Sequence, residues 1–107
     1  MNQLIMNALK PLNVPVYPNH YPGTAKTYIT FFDYYSDPAL NADDRKQVTA
    51  YYYQVDVWSD TGGIRDQLAE QVEQALVDSG FIWRMGYGDY EPDEKVYHKA
   101  MRFYYSK

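Results

Sequence analysis

The sequence has 107 residues, enough for one hydrophobic core, and it is acidic, with a formal net charge of -4 and a pI near 4.9. Its 46% hydrophobic and 22% charged residues are typical of a globular chain and exclude a disordered one. The acidic balance, without a cluster of lysine and arginine, argues against a protein that mainly grips nucleic-acid backbones. Zero cysteines exclude disulfides and thiolate metal sites.

The N-terminal segment has the apolar spacing of a short amphipathic helix. Its apolar positions, at steps of one, three and four, are Leu4, Ile5, Ala8, Leu9 and Leu12. We expect the helix to end at Lys10, because Pro11 disfavours a helical residue before it. The apolar run is too short for a signal peptide or a membrane span. The next stretch, "NVPVYPNHYPG", has three prolines and predicts an extended surface loop.

Two strands are predicted in the middle of the chain. "TYITFFDYY" (27–35) is rich in β-branched and aromatic residues. "SDPALNADDRKQ" then predicts a long solvated loop. The second strand begins at "YYYQVDVW" (51–58), and its alternation places Tyr51, Tyr53, Val55 and Val57 toward the core. The opposite face then carries Tyr52, Gln54, Asp56 and Trp58.

A longer helix follows, and Asp60 or Thr61 is expected to cap its backbone donors near two glycines. Gly80 is expected to end it in a left-handed conformation. The predicted inner side of this helix consists of Ile64, Leu68, Val72, Ala75, Leu76 and Ser79. "GFIWRMGYG" and "KVYHKAMRFYYS" predict two final strands, the latter with Tyr97, Met101, Phe103 and Tyr105 on one face.

The predicted order is α-β-β-α-β-β in a single domain over residues 1–107. It indicates an α+β fold, an antiparallel sheet with two helices on one face. Nothing in this order covers the opposite sheet face, where Tyr52 and Trp58 point. A second copy of the chain could cover that face.

No pattern in the sequence predicts a catalytic residue, a metal site or a cofactor. His20 and His98 lack a neighbouring His or Cys at metal-ligand spacing and are interpreted as structural or surface residues. "DTGG" and "GYG" lack the pattern of a phosphate loop or a dinucleotide site, and no serine lies in a nucleophile elbow. The segment "DYEPDEKVYH" lacks the ligand pattern of an EF-hand and predicts a solvated acidic hairpin with Asp89, Glu91, Asp93 and Glu94.

The 13 tyrosines exceed ordinary usage and suit surfaces buried against another protein, since each ring has a large apolar body and a polar tip. The tyrosine runs could also stack nucleobases, but no basic residues are interleaved with them, so core and interface roles are favoured. We predict one interface patch from Tyr52, Trp58 and the last strand, including Tyr104. Tyr17 and Tyr21 of the proline-rich loop are predicted to contribute to a second patch.

The segments "YQVDVWSDTG", "LAEQVEQALVDSGF" and "YHKAMRFYY" together resemble the tail-completion, or tail-terminator, proteins of long-tailed bacteriophages and prophages. The resemblance runs from about Thr27 to Tyr105, and the N-terminal helix also fits. It implies a structural protein without enzyme activity or cofactor, which caps the tail tube and joins it to the head as a ring, commonly a hexamer. The implied partners are further copies, the tail tube protein and a head-completion or connector protein, with no membrane and no sequence-specific nucleic acid. The implied location is the virion tail or head-tail interface, after assembly in the cytoplasm of the bacterial host.

In such a ring, acidic side chains could line the opening and keep passing DNA from sticking to the wall. The candidates are the hairpin residues Asp89, Glu91, Asp93 and Glu94 and the loop residues Asp37, Asp43 and Asp44. A purely solvated role fits these residues equally well. Two other functions stay open from the sequence: a head-completion or minor capsid protein, and a small ligand-binding or enzymatic α+β domain.

Overall fold

The computed structural model describes residues 2–37 and 50–106, which form a mixed five-stranded sheet and two α-helices. In chain order the elements are α1 (Asn2–Leu9), a 3-10 helix (Lys10–Leu12), β1 (Val16–Pro18), β2 (Tyr28–Asp37), β3 (Ala50–Ser59), α2 (Gly62–Asp78), β4 (Ile82–Glu91) and β5 (Val96–Ser106). The strand order across the sheet is β1-β2-β3-β5-β4. The α+β class is confirmed, but the element order differs from the prediction by one additional strand.

That additional strand is β1, which lies within the segment predicted as a loop. It pairs in parallel with β2, whereas the other three strand pairs are antiparallel as predicted. The pairing tolerates prolines because the carbonyl of Pro15 accepts from the amide of Ile29 at 2.8 Å, and Asn19 donates to Phe31 at 2.8 Å. Only every second residue of β1 directs its backbone groups toward β2. The nitrogen of Pro18, which has no hydrogen to donate, therefore points away from β2.

The core lies between the helices and one face of the sheet. Tyr53, Val55 and Val57 are buried there, as the alternation of β3 predicted, and Tyr51 is partly buried against the same cluster. Both helices contribute to this cluster: Ile5 and Leu9 from α1, and Leu68, Val72 and Leu76 from α2. We call this side of the sheet the helix face and the other side the open face.

Helix α2 begins and ends close to the predicted positions. Its N-cap is Thr61, but no side-chain hydrogen bond caps the helix; the Thr61 hydroxyl donates to Asp60 instead. At the other end, Gly80 has a φ of 101°, and it donates to Val77 while Phe81 donates to Leu76, which is the Schellman arrangement.

One residue predicted on the inner side of α2 was assigned wrongly. Ile64 is 46% exposed, because it lies in the first turn, at the margin of the apolar stripe that Leu68, Val72 and Leu76 form. Across the described residues, no helix is long and apolar enough to cross a membrane.

Arg65 fixes the position of the β4–β5 hairpin relative to α2. Its Nη1 donates to the carbonyls of Asp89 and His98 at 3.2 and 3.4 Å, and its guanidinium lies 5.6 Å from the ring centroid of Tyr97. A side chain at Gly88 would place its Cβ 3.0 Å from the same Nη1. The glycine therefore makes room for the arginine.

Candidate functional site

An aromatic row crosses the open face from β1 to β5. The ring of Tyr17 lies 5.2 Å from that of Tyr21, which lies 4.6 Å from Tyr28. Tyr28 stacks on Trp58 at 5.9 Å, and Trp58 stacks on His98 at 4.0 Å. The sequence assigned Tyr17 and Tyr21 to a different patch from Trp58, but the fold joins all three in one continuous row.

A buried acid-base pair lies beneath this row. Asp56 is only 5% exposed although it lies on the open face, and its Oδ1 is 2.7 Å from Nε2 of His98. Gln54 also donates to Asp56, at 2.9 Å, and Trp58 donates to Thr30 at 3.1 Å. These contacts satisfy polar groups that the aromatic row covers, and they make His98 a structural residue.

The other end of the open face carries tyrosines and arginines. Tyr52 lies 5.2 Å from Tyr104, which pairs with it across β3 and β5. Arg102 lies 4.2 Å over the ring of Tyr34, and Arg84 lies 5.8 Å from the ring centroid of Tyr52. The fold thus brings basic side chains onto the tyrosine runs, which the linear sequence did not reveal.

Strand β4 is an edge of the sheet and carries the largest group of exposed apolar side chains among the described residues. Those side chains are Ile82 (59% exposed), Tyr87 (54%), Met85, Trp83 and Tyr90. No described strand pairs with its outer edge, and the strand contains neither proline nor lysine. Such an edge is a template for protein association unless something covers it. These residues were not predicted as a site from the sequence, although "IWRMGYGDY" has apolar groups at both parities, which is a visible signal.

The acidic candidates lie at two ends of the molecule. Asp89 and Glu91 lie at the end of β4, with Glu91 Oε2 3.9 Å from Nδ1 of His98, and exposed Asp93 and Glu94 lie in the turn before β5. Asp37 is the last residue of β2. Two further candidates, Asp43 and Asp44, lie outside the described residues.

The remaining features that could form a site are metal-binding clusters and cavities. No group of three or more His, Cys, Asp or Glu residues in the described parts of the chain could hold a metal ion. A cavity of about 250 Å³ lies beside the aromatic row, between Tyr28, Trp58 and the hairpin residues Glu94 and Lys95. The exposed apolar groups of β4 are thus the strongest candidate for a contact with another protein.

Comparison with known proteins then gives the family. The chain belongs to the family of tail completion protein gp17, whose model matches residues 5–105, so the predicted resemblance is confirmed. It is a bacteriophage-type structural protein of the tail or head-tail region. The family is a structural one, not a family of enzymes.

A solved structure has a similar fold. It is a chain in the "Virion of native gene transfer agent (GTA) particle", with a TM-score of 0.63 and 15% identity, and the match covers 91% of this chain and 81% of that one. At this identity the similarity concerns the fold alone. No curated protein sequence matches the chain.

Proposed function

We propose that the chain caps the tail tube and joins it to the head as a closed ring of identical subunits, with six copies as the expected number. The observation that carries the proposal is the exposed apolar edge strand β4 in a chain of the tail completion family. A ring of one chain requires head-to-tail contacts between two different patches on each subunit. The likeness to a virion particle chain supports a place in a multi-protein particle.

The proposed partners are further copies, the tail tube protein and a head-side connector, and the proposed place of assembly is the cytoplasm of the bacterial host. Residues 1–107 act in this proposal as one tail-terminator-like domain. The interface candidates stay as predicted: Tyr17, Tyr21, Tyr52, Trp58 and Tyr104.

The double substitution Tyr52→Ala and Trp58→Ala tests these candidates. Assembly is measured by light scattering after size-exclusion chromatography. Loss of the assembled species is expected, because both rings lie on the open face. Unchanged assembly would contradict this interface assignment.

We further propose that the acidic β4–β5 hairpin lines the opening through which DNA passes. Asp93 and Glu94 are exposed at its tip, where negative charge repels a phosphate backbone. Asp93→Lys with Glu94→Lys is expected to reduce infectivity by slowing DNA passage, whereas Asp78→Lys at the end of α2 is a control. Unaltered infectivity and DNA retention would contradict the channel role.

The ring itself is tested with purified tail tubes. The protein is expected to bind one tube end and to permit head attachment, and negative-stain images should show a closed ring there. Binding to heads and not to tubes would instead favour the head-completion alternative.

A further inference from the structure

The open side of the β4 edge combines apolar side chains with two arginines. We call it the β4 patch: Ile82, Arg84, Met85, Tyr87, Arg102 and Tyr104. Strand pairing groups them, since Ile82 lies opposite Tyr104 and Met85 lies opposite Arg102. In the row of Tyr87, Asp56 of β3 is buried and bonded to His98 and Gln54, so its charge is not presented to a partner. The patch therefore presents apolar groups and positive charge to a partner.

The outer side of α2 has the complementary character. Asp66, Glu70, Glu73 and Val77 follow one another at steps of four, three and four, so they form one line along the helix. All four are exposed. Arg65 pairs with Asp66 at 2.8 Å, whereas no ion pair within the described residues involves Glu70 or Glu73. We call this line the acidic stripe.

The two surfaces lie on opposite sides of the subunit. Leu68, Val72 and Leu76 bury the inner side of α2 against the helix face, so the acidic stripe points away from the sheet. The β4 patch lies on the open face. Two different surfaces on opposite sides are what a head-to-tail contact between identical subunits requires.

We propose that the β4 patch binds the acidic stripe of a second copy of the chain. The inference rests on the proposed ring and names the contact that closes it. Arg84 and Arg102 face Glu70 and Glu73 of the neighbour, and Val77 of the neighbour packs against Ile82 and Met85. Opposite charges set the register of such a contact, and the apolar groups are buried at its centre.

Charge reversal tests the pairing. Arg84→Glu alone, and Glu70→Arg alone, are each expected to weaken ring formation by about tenfold or more, because like charges then meet across the contact. Combining the two substitutions is expected to restore assembly, since this pair again has opposite charges and Arg102 still faces Glu73. Lys10→Glu, which makes the same charge change on the exposed 3-10 helix, is expected to assemble normally. Assembly is measured by light scattering and on purified tail tubes, with circular dichroism to confirm folding.

The outcomes separate this inference from the proposed function. Rings that form equally well with Arg84→Glu, or a folded double variant Arg84→Glu with Glu70→Arg that fails to assemble, overturn the pairing and do not contradict the ring itself. A wild-type chain that forms no ring in solution and none on tubes contradicts both.

A third outcome would assign the patch to a different partner. Tyrosines and arginines also bind single-stranded nucleic acid, so a fluorescent oligonucleotide is titrated in parallel. Binding that Arg84→Glu abolishes while rings persist would overturn the pairing and assign the patch to nucleic acid.

Discussion

The two edges of the sheet differ in length, composition and protection. The β1 edge has three residues, and the outward-facing Pro18 offers no donor to a further strand. The β4 edge has ten residues, no proline or lysine, and exposed apolar side chains on both faces. Natural proteins blunt an edge that must stay free, and β4 has only a bulge between Trp83 and Met85 and a few charged side chains for this purpose, so β4 is the less protected edge.

The largest expected effect is a loss of stability from a substitution on β5. The facing substitution on β4 should affect stability less and assembly more. Phe103 and Trp83 lie opposite each other on β5 and β4, yet Phe103 is fully buried and Trp83 is 43% exposed. Phe103→Ala is expected to lower the free energy of unfolding by about 3–5 kcal/mol, through lost burial and a cavity. Trp83→Ala should cost about 1 kcal/mol while weakening assembly. Urea denaturation measures the free energy of unfolding of both variants. Equal decreases would contradict the exposed position of Trp83.

A pH effect is expected at the α1 end of the core. Burial, followed by the charge of Asp33, raises the pKa of Tyr53 from 10.0 to about 12, and its hydroxyl donates to Asn2 of α1. The folded state therefore holds this proton more tightly than the unfolded state. Its contribution, roughly 2 kcal/mol, is fully present below pH 10 and is lost as the pH rises from 10 to about 12.

Tyr53→Phe is expected to reduce the decrease in the free energy of unfolding that occurs as the pH rises from 10 to about 12. Tyr35→Phe, at an exposed position, serves as the control and should retain the wild-type pH dependence. Chemical denaturation at a series of pH values gives the comparison. An identical slope for Tyr53→Phe and wild type would show that this phenol is not responsible.

A smaller effect on stability is expected where Arg65 of α2 contacts the helix face of the β4–β5 hairpin. Gly88→Ala would push the Arg65 guanidinium away from the carbonyls of Asp89 and His98, at a cost of about 1 kcal/mol. Gly63→Ala meets nothing within 4 Å and should be neutral or slightly stabilising. Thermal unfolding distinguishes the two variants, and a neutral Gly88→Ala would argue against this anchoring role.

The smallest effect is expected at the β1 edge. Pro18→Val gives that edge an amide hydrogen that points outward. It also raises the conformational entropy of the unfolded chain, so the free energy of unfolding should fall by about 0.5–1 kcal/mol. Static light scattering should also show more non-specific association, because the edge is no longer blunted. Pro22→Ala, in the adjoining loop, is the matched control. If both variants scatter alike, Pro18 does not protect the edge.

Local patterns predicted the elements whose signals lie within a few residues. The inner side of β3, the extent of α2 and the left-handed Gly80 all follow from periodicity and turn chemistry. The β1 strand was missed, because its pairing with β2 is a tertiary contact that overrides the preference of a proline-rich segment for a loop.

The candidate site was harder to predict, because strand order decides it. Asp56 and His98 are 42 residues apart, and only the β3–β5 register brings them together. The apolar groups at both parities of β4 do not by themselves reveal that this strand lies at an edge. Arg84 and Arg102 likewise reach the tyrosine runs only through strand pairing.

The most direct test of the account compares one lysine substitution on each edge. Tyr87 of β4 and Tyr17 of β1 are both exposed tyrosines on the open face, so Tyr87→Lys and Tyr17→Lys are matched changes. Light scattering across a range of concentrations, with tail tubes as template, measures assembly of each variant and of wild type. We predict rings for wild type, a partial loss of rings for Tyr17→Lys, which changes a candidate of the second interface patch, and monomers for Tyr87→Lys. Normal rings from Tyr87→Lys, or a greater loss of rings with Tyr17→Lys than with Tyr87→Lys, would contradict the central place of β4.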